Sequence, residues 1–149
     1  MFFGLVKGSA PSRANRVIGT VLVVEDEPLV AFDNEHALIL AGYRIAATVD
    51  DYASAVEVME AGGVDLIIAD INLRGSQTGL DVARRASELT LPVLFVTATC
   101  PIDAQELAVG CLAKPFSAKE LVSAIRAIDL TLRGARRGKG PANLTLFRR

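Results

Sequence analysis

The sequence predicts an α/β domain with a doubly wound sheet, made from five consecutive βα units. Three observations lead there. Short apolar runs recur along the chain, at Thr20–Val24, Leu66–Ala69 and Pro92–Val96 among others. Each is the length of a strand buried on both faces, as in a parallel sheet. Between them lie segments with helical spacing, bounded by capping and stop residues. Several of the runs end abruptly in a polar residue, and in open α/β sheets that carboxyl end is where ligands bind.

Residues 1–19 read as an N-terminal extension, rich in Gly, Ser, Pro and Arg over its second half. Thr20–Val24 is the first strand and stops at Glu25-Asp26-Glu27. Pro28 suits the first turn of a helix and Gly42 its end. Leu29, Phe32, His36, Ile39 and Leu40 keep helical spacing between them. His36 is the single imidazole and has no second ligand type nearby, so it reads as a structural or surface residue. Tyr43–Val49 is the second strand. Asp50 or Asp51 caps a helix through about Ala61, with Ala55, Val56 and Met59 inward, ended by Gly62-Gly63.

The third strand is Leu66–Asp70, followed by a loop and a helix over about Gly79–Leu89. Pro92–Thr97 is the fourth strand, a short helix fits Ile102–Leu107, and Cys111–Ala113 is the last strand. Ser117-Ala118-Lys119-Glu120 has the form of a capping box, and the helix behind it carries Leu121, Ala124, Ile125 and Ile128. These units place the domain at residues 20–132, with a basic C-terminal tail at 133–149.

The net charge of −1 conceals an asymmetry. The two ends carry nine basic residues and no acid, while residues 20–132 hold seven basic residues against all 17 acidic ones. An acidic body argues against a nucleic-acid-binding core. The basic ends read as solvated arms, or as arms folded on that body. No apolar run reaches the length of a membrane span, and the N-terminus does not fit a secretory signal. Cys100 and Cys111 with one His are too few for a zinc site and read as reduced thiols of a cytoplasmic protein, two small apolar fillers with a redox role as the minor alternative.

The polar strand ends are Glu25-Asp26, Asp70, Thr97 and Lys114. Taken alone, Asp70 is as well explained as a loop or cap residue. On one rim with the others it acquires a chemical logic. Two close carboxylates repel, and a hard divalent cation relieves that; Mg²⁺ takes oxygen ligands and keeps several waters. A carboxylate can attack phosphorus to give an acyl phosphate. The Lys114 ammonium and the Thr97 hydroxyl would meet the phosphoryl oxygens.

From about Thr20 to Leu132 the chain resembles the CheY-like response-regulator receiver domain of bacterial two-component signalling. The residues that carry the resemblance are Val21–Glu27, Leu66–Asp70, Val96-Thr97-Ala98 and Lys114-Pro115-Phe116. It implies a flavodoxin-like sheet of strand order 2-1-3-4-5 and a cis Lys114–Pro115 peptide. It implies Asp70 as phosphoacceptor, with Asp26, Asp70 and the backbone carbonyl of Asn72 as Mg²⁺ ligands and Glu25 acting through water. Thr97 and Lys114 would bind the phosphoryl group. Gly79–Ala83 and Leu94–Pro101 look most like the stand-alone receivers common in alphaproteobacteria.

Two departures from the pattern concern signal output. Cys111 occupies the position three residues before the Lys where many receivers carry Tyr or Phe, so it is an altered switch position. Thr97 to Lys114 spans only 17 positions, which shortens the fourth helix. No output domain fits in the residues after Leu132.

The resemblance therefore implies a single-domain response regulator. It would take a phosphoryl group from a histidine kinase or a histidine phosphotransfer protein. It would signal to a downstream protein of unknown identity. It would catalyse its own Mg²⁺-dependent phosphorylation and slow dephosphorylation without being an enzyme in the turnover sense. The alternative is a receiver-like binding scaffold that works without phosphorylation. A phosphohydrolase with an aspartyl nucleophile is disfavoured, since Asn72 stands where one such family has its acid/base Asp. Phe2, Phe3, Leu5, Val6, Leu144, Leu146 and Phe147 can pack on the body or on a second chain, which leaves a homodimer open.

Overall fold

Two-residue alternation within strands sorts the apolar side chains onto two layers. The computed structural model describes residues 16–101, 105–135 and 140–147. The strands are β1 (Thr20–Val24), β2 (Arg44–Val49), β3 (Leu66–Asp70), β4 (Val93–Thr97), β5 (Gly110–Ala113) and β6 (Leu144–Leu146). The helices are α1 (Pro28–Leu40), α2 (Tyr52–Ala61), α3 (Gly79–Glu88) and α4 (Ala118–Leu132). Val21, Val23, Leu66, Ile68, Leu94, Val96 and Leu112 face one layer with Leu121, Ile125 and Ile128 of α4 and Leu38 of α1. Leu22, Val24, Ile67, Ala69, Val93, Phe95 and Cys111 face the other, with Met59 of α2 and Val82 and Ala86 of α3. Strands β1, β3 and β4 thus sit between two helical layers, which is why they read as unbroken apolar runs.

The sheet order is β2-β1-β3-β4-β5-β6. The first five strands are parallel, and β6 runs antiparallel to β5, with Gly110 opposite Leu146 and Leu112 opposite Leu144. The five-stranded expectation is corrected here: part of the segment read as a basic tail closes the β5 edge. Gly110 makes that close approach possible, because a Cβ there would lie 2.7 Å from the carbonyl oxygen of Thr145. Phe147 follows β6, is buried in the α2/α3 layer, and donates its N–H to Val109 at 2.9 Å.

A second correction concerns the fourth helix. Residues 102–104 lie outside the described residues, and Gln105–Leu107 is a single 3₁₀ turn. The connection is too short for a helix that spans the sheet, and Phe147 joins Leu107, Ala108 and Cys111 in covering that end of the layer.

A third correction is covalent. Cys100 and Cys111 form a disulfide, with Cα atoms 6.0 Å apart, and no free cysteine remains among the described residues. Cys111 pairs with Phe95 in the β4–β5 ladder, and the chain turns back after Thr97 far enough to bring Cys100 above it. Nothing in an eleven-residue spacing announces that return.

Two carboxylates, the buried Asp129 and the half-buried Asp65, anchor the entry to β1. Asp129 of α4 accepts hydrogen bonds from the N–H groups of Val17 and Ile18 at 3.1 and 2.9 Å, and Asp65 accepts from Gly19 and Thr20 at 2.9 and 2.8 Å. Replacing Asp129 with Ala strands two backbone donors, so Asp129→Ala should lose about 1–3 kcal/mol in a urea titration. Asp129→Asn, which keeps an acceptor oxygen, should lose less.

Helix α1 departs from the usual inward apolar face. It buries Ala31, Asn34, Ala37 and Leu38, while Leu29, Phe32, Ile39 and Leu40 are 81, 64, 52 and 75% exposed. The exposed His36 ring stacks on Phe32, centroids 5.9 Å apart. No described helix is long and apolar enough to cross a membrane.

Candidate functional site at the carboxyl ends of the strands

The parallel register brings the polar strand ends onto one rim. Val24 of β1 pairs with Ala69 of β3, Asp70 with Val96, and Thr97 with Ala113. The next residue past each pairing is therefore Glu25, Asp70, Thr97 or Lys114, at neighbouring heights. The pleat that turns Val23, Ile68 and Leu112 to the α1/α4 layer turns Glu25, Asp70 and Lys114 the same way.

Lys114 bridges the cluster. Its Nζ donates to Asp70 Oδ2 at 2.9 Å and to Glu25 Oε1 at 3.1 Å. Glu25 and Asp70 are 2 and 6% exposed, so both carboxylates sit in a partly dehydrated setting that strengthens this contact. The remaining oxygens are held by backbone N–H groups: Asn72 donates to Asp70 Oδ1 at 2.9 Å, and Glu27 to Glu25 Oε2 at 3.1 Å. Asp26 Oδ2 accepts from the Arg74 N–H at 2.9 Å. Thr97 is buried, and its carbonyl accepts from the Lys114 N–H at 2.8 Å. The Lys114–Pro115 peptide is cis.

The electrostatics follow from burial and from these contacts. Burial pushes the Glu25 carboxyl above its ordinary range; the Asp70 charge adds to the rise, while the Glu27 N–H and Lys114 oppose it. For Lys114 burial works downward, but the hydrogen bonds to Asp70 and Glu25 and their charges outweigh it, and its pKa is raised. The ammonium is therefore held charged at neutral pH.

One oxygen each of Glu25, Asp26 and Asp70 lies within 4.8 Å of the others. Three hard oxygen donors at that spacing, two of them buried, suit a divalent cation that prefers carboxylate and water ligands. Asn72 meets the cluster through its N–H. Cys111 lies off the rim, buried on β5 and bonded to Cys100.

Gly79, the first residue of α3, is a site residue the sequence reasoning passed over. A Cβ there would lie 2.1 Å from the Asp70 carbonyl oxygen and 2.6 Å from Ile71 Cα. Its N–H donates to Ile71 at 2.9 Å, so α3 begins in direct contact with the strand end that carries Asp70. The preceding Thr78 caps α3 in a reciprocal box with Asp81. A glycine placed straight after an N-cap, where glycine is otherwise a poor helix former, was the available signal.

Beside Lys114, Val30, Asn34, Ala98, Pro115 and Phe116 line an open cleft of about 430 Å³. Its α1 lining lies in the first two turns of the helix, which also carry the exposed Leu29 and Phe32.

Comparison with known proteins agrees with this geometry. The model of the response regulator receiver domain family matches residues 21–126. The transcriptional regulatory protein PdtaR of Mycobacterium tuberculosis is 35% identical over 111 residues, covering 70% of this chain and 54% of that protein. The sensory transduction protein RegX3 of Mycolicibacterium smegmatis is 36% identical over 115 residues, covering 73% and 50%. The chain thus spans about half the length of the curated relatives it matches. Among solved structures, the signal receiver domain of a modulated diguanylate cyclase from Desulfovibrio desulfuricans G20 superposes with a TM-score of 0.68 at 28% identity, covering 78% of this chain and 97% of that one. A CheY-like receiver domain protein from Methanospirillum hungatei gives 0.70 at 17% identity, covering 78% and 98%, a likeness of fold. The chain belongs to the response regulator receiver domain family of two-component signalling.

Proposed function

We propose that this chain is a response-regulator receiver of the cytoplasm that accepts a phosphoryl group on Asp70. The observation that carries the reading is the Lys114 bridge to Asp70 and Glu25, with Asp26 close by. It supplies a nucleophile, a fixed cation for the phosphoryl oxygens and an oxygen set for a metal on one rim. The Asp70 carboxylate attacks phosphorus, an O–P bond forms, and the P–N bond to a donor imidazole breaks. Lys114 pairs with a phosphoryl oxygen and the Thr97 hydroxyl donates to another. Asp26, Asp70 and the Asn72 carbonyl would hold Mg²⁺, with Glu25 acting through water. Bound there, the ion neutralises carboxylate and phosphoryl charge. The receiver catalyses its own phosphorylation and slow hydrolysis, with no substrate turned over.

The donor is a histidine kinase or a histidine phosphotransfer protein. The exposed Leu29 and Phe32 of α1 and the cleft beside Lys114 offer an apolar surface next to the rim. A downstream protein reads the modified state.

Incubation with acetyl phosphate and Mg²⁺, read by intact mass, tests this. One phosphoryl adduct is expected on the wild type, with none on Asp70→Asn or without Mg²⁺. An adduct that survives Asp70→Asn contradicts the reading. The second reading, a phosphorylation-independent scaffold, is favoured by the 3₁₀ turn and by Cys111 in its disulfide. It predicts no adduct and no Mg²⁺-dependent change around Asp70.

A further inference from the structure

The mechanism above makes no use of Cys100 and Cys111, yet they occupy the one connection that leads away from Thr97. Their bond closes a covalent loop around residues 100–111, the whole link from just beyond β4 into β5. The base of that loop is already held, since Thr97 pairs with Ala113 and its carbonyl accepts from Lys114. Thr97 follows Phe95 by one pleat on the face that Cys111 shares, one strand across. A crosslink there ties the segment after Thr97 to the fully buried centre of β5. Besides the crosslink, the described part of the segment holds a single 3₁₀ turn, and Val109 donates to Val93 and accepts from Phe147, so residues 108–109 are fixed while Cys100 depends on the crosslink.

From this placement we infer that Cys100–Cys111 is a reversible thiol–disulfide site. It sets whether a change at Asp70 and Thr97 can spread into the β4–β5 connection. The coupling rests on the reading of Asp70 as phosphoacceptor; the thiol chemistry does not. A disulfide in a cytoplasmic protein is most often transient and regulatory, which suits this position. The asymmetry of exposure orders the chemistry. Cys111 is 0% exposed, whereas Cys100 is half-buried and reachable. The Cys100 thiolate attacks one sulfur of a low-molecular-weight disulfide such as oxidised glutathione and expels one thiolate, leaving a mixed disulfide. Cys111, deprotonated, attacks the Cys100 sulfur and expels the second. Two cysteine thiols are oxidised, two glutathione thiols are produced, and the two protons pass to the departing thiolates. A dithiol reverses the sequence.

In the reduced protein the stretch just after Thr97, residues 98–101, loses its tie to β5, and a rearrangement at Thr97 can move it. In the oxidised protein it is held against β5. The site therefore sets how far a change at Thr97 can travel toward β5.

The test uses the full chain, oxidised with glutathione disulfide or reduced with dithiothreitol. Each form is measured with and without Mg²⁺ and beryllofluoride. Alkylation should count two thiols in the reduced protein and none in the oxidised. Hydrogen exchange over residues 98–111 should be at least about tenfold faster in the reduced protein. Beryllofluoride should alter that exchange only in the reduced form. Cys100→Ser should behave as the reduced protein in either buffer. Cys111→Ala, which adds no buried hydroxyl, should do the same. Exchange that agrees within about twofold between the redox states overturns the inference, as does a glutathione adduct that Cys111 never resolves. If beryllofluoride has no effect in either redox state while the redox difference persists, the phosphoacceptor reading fails and the thiol site stands.

Discussion

Phe147→Ala should destabilise the domain by about 3–5 kcal/mol, the range for removing a buried aromatic side chain from a core. The side chain is 5% exposed and packs in the α2/α3 layer with Phe95, Ala108 and Cys111. The fourth crossover contributes only Cys100, the 3₁₀ turn Gln105–Leu107 and Ala108 to the described covering of that end of the layer, so little else there can collapse into the space. A urea titration checks it: the midpoint should fall with little change in slope. Ala142→Ser, at an exposed position in the same segment, should leave the midpoint in place. A loss under about 1 kcal/mol for Phe147→Ala would mean that the cavity closes or that β6 contributes little. Acceptance of a phosphoryl group should persist in the folded fraction, because Phe147 packs in the α2/α3 layer while Glu25, Asp70 and Lys114 turn toward the α1/α4 side.

Gly79→Ala should act on the site itself. The added Cβ would fall 2.1 Å from the Asp70 carbonyl oxygen and 2.8 Å from its carbonyl carbon, and both are backbone atoms that cannot swing aside. Either the start of α3 or the end of β3 must shift. Overpacking of this kind costs about 1–3 kcal/mol. The larger effect is on chemistry, since a displacement near 1 Å at a reacting group can slow a reaction by about 100-fold. Adduct formation with acetyl phosphate should therefore fall by at least about tenfold in protein that remains folded by circular dichroism. An unchanged rate would show that Asp70 tolerates movement of its own carbonyl.

Strands β1, β3, β4 and β5 were legible to within a residue, because each is an apolar or β-branched run stopped by a polar residue. The Ser117–Glu120 capping box fixed the start of α4, and both of its hydrogen bonds are present. Strand β6 was not legible. Leu144-Thr145-Leu146 is three residues inside a basic stretch, and its partners, Leu112 to Gly110, lie 32 to 36 positions back in the chain. The orientation of α1 was hidden for another reason. Two of its four buried positions are alanines and a third is Asn34, which carry a weak periodic signal, while Leu29, Phe32, Ile39 and Leu40 face outward. For the site, register did what spacing could not, setting Glu25, Asp70 and Lys114 within hydrogen-bond reach. The Cys100–Cys111 bond depends on the path of a loop, which leaves no periodic trace.

Where the phosphoryl group goes is the central claim, and the acyl phosphate can be trapped chemically. Borohydride reduces an aspartyl phosphate to homoserine and leaves a free carboxylate untouched. After treatment with acetyl phosphate and Mg²⁺, then borohydride, peptide mapping should find homoserine at position 70 and aspartate at position 26. Aspartate retained at position 70, or homoserine at another site, would contradict the account.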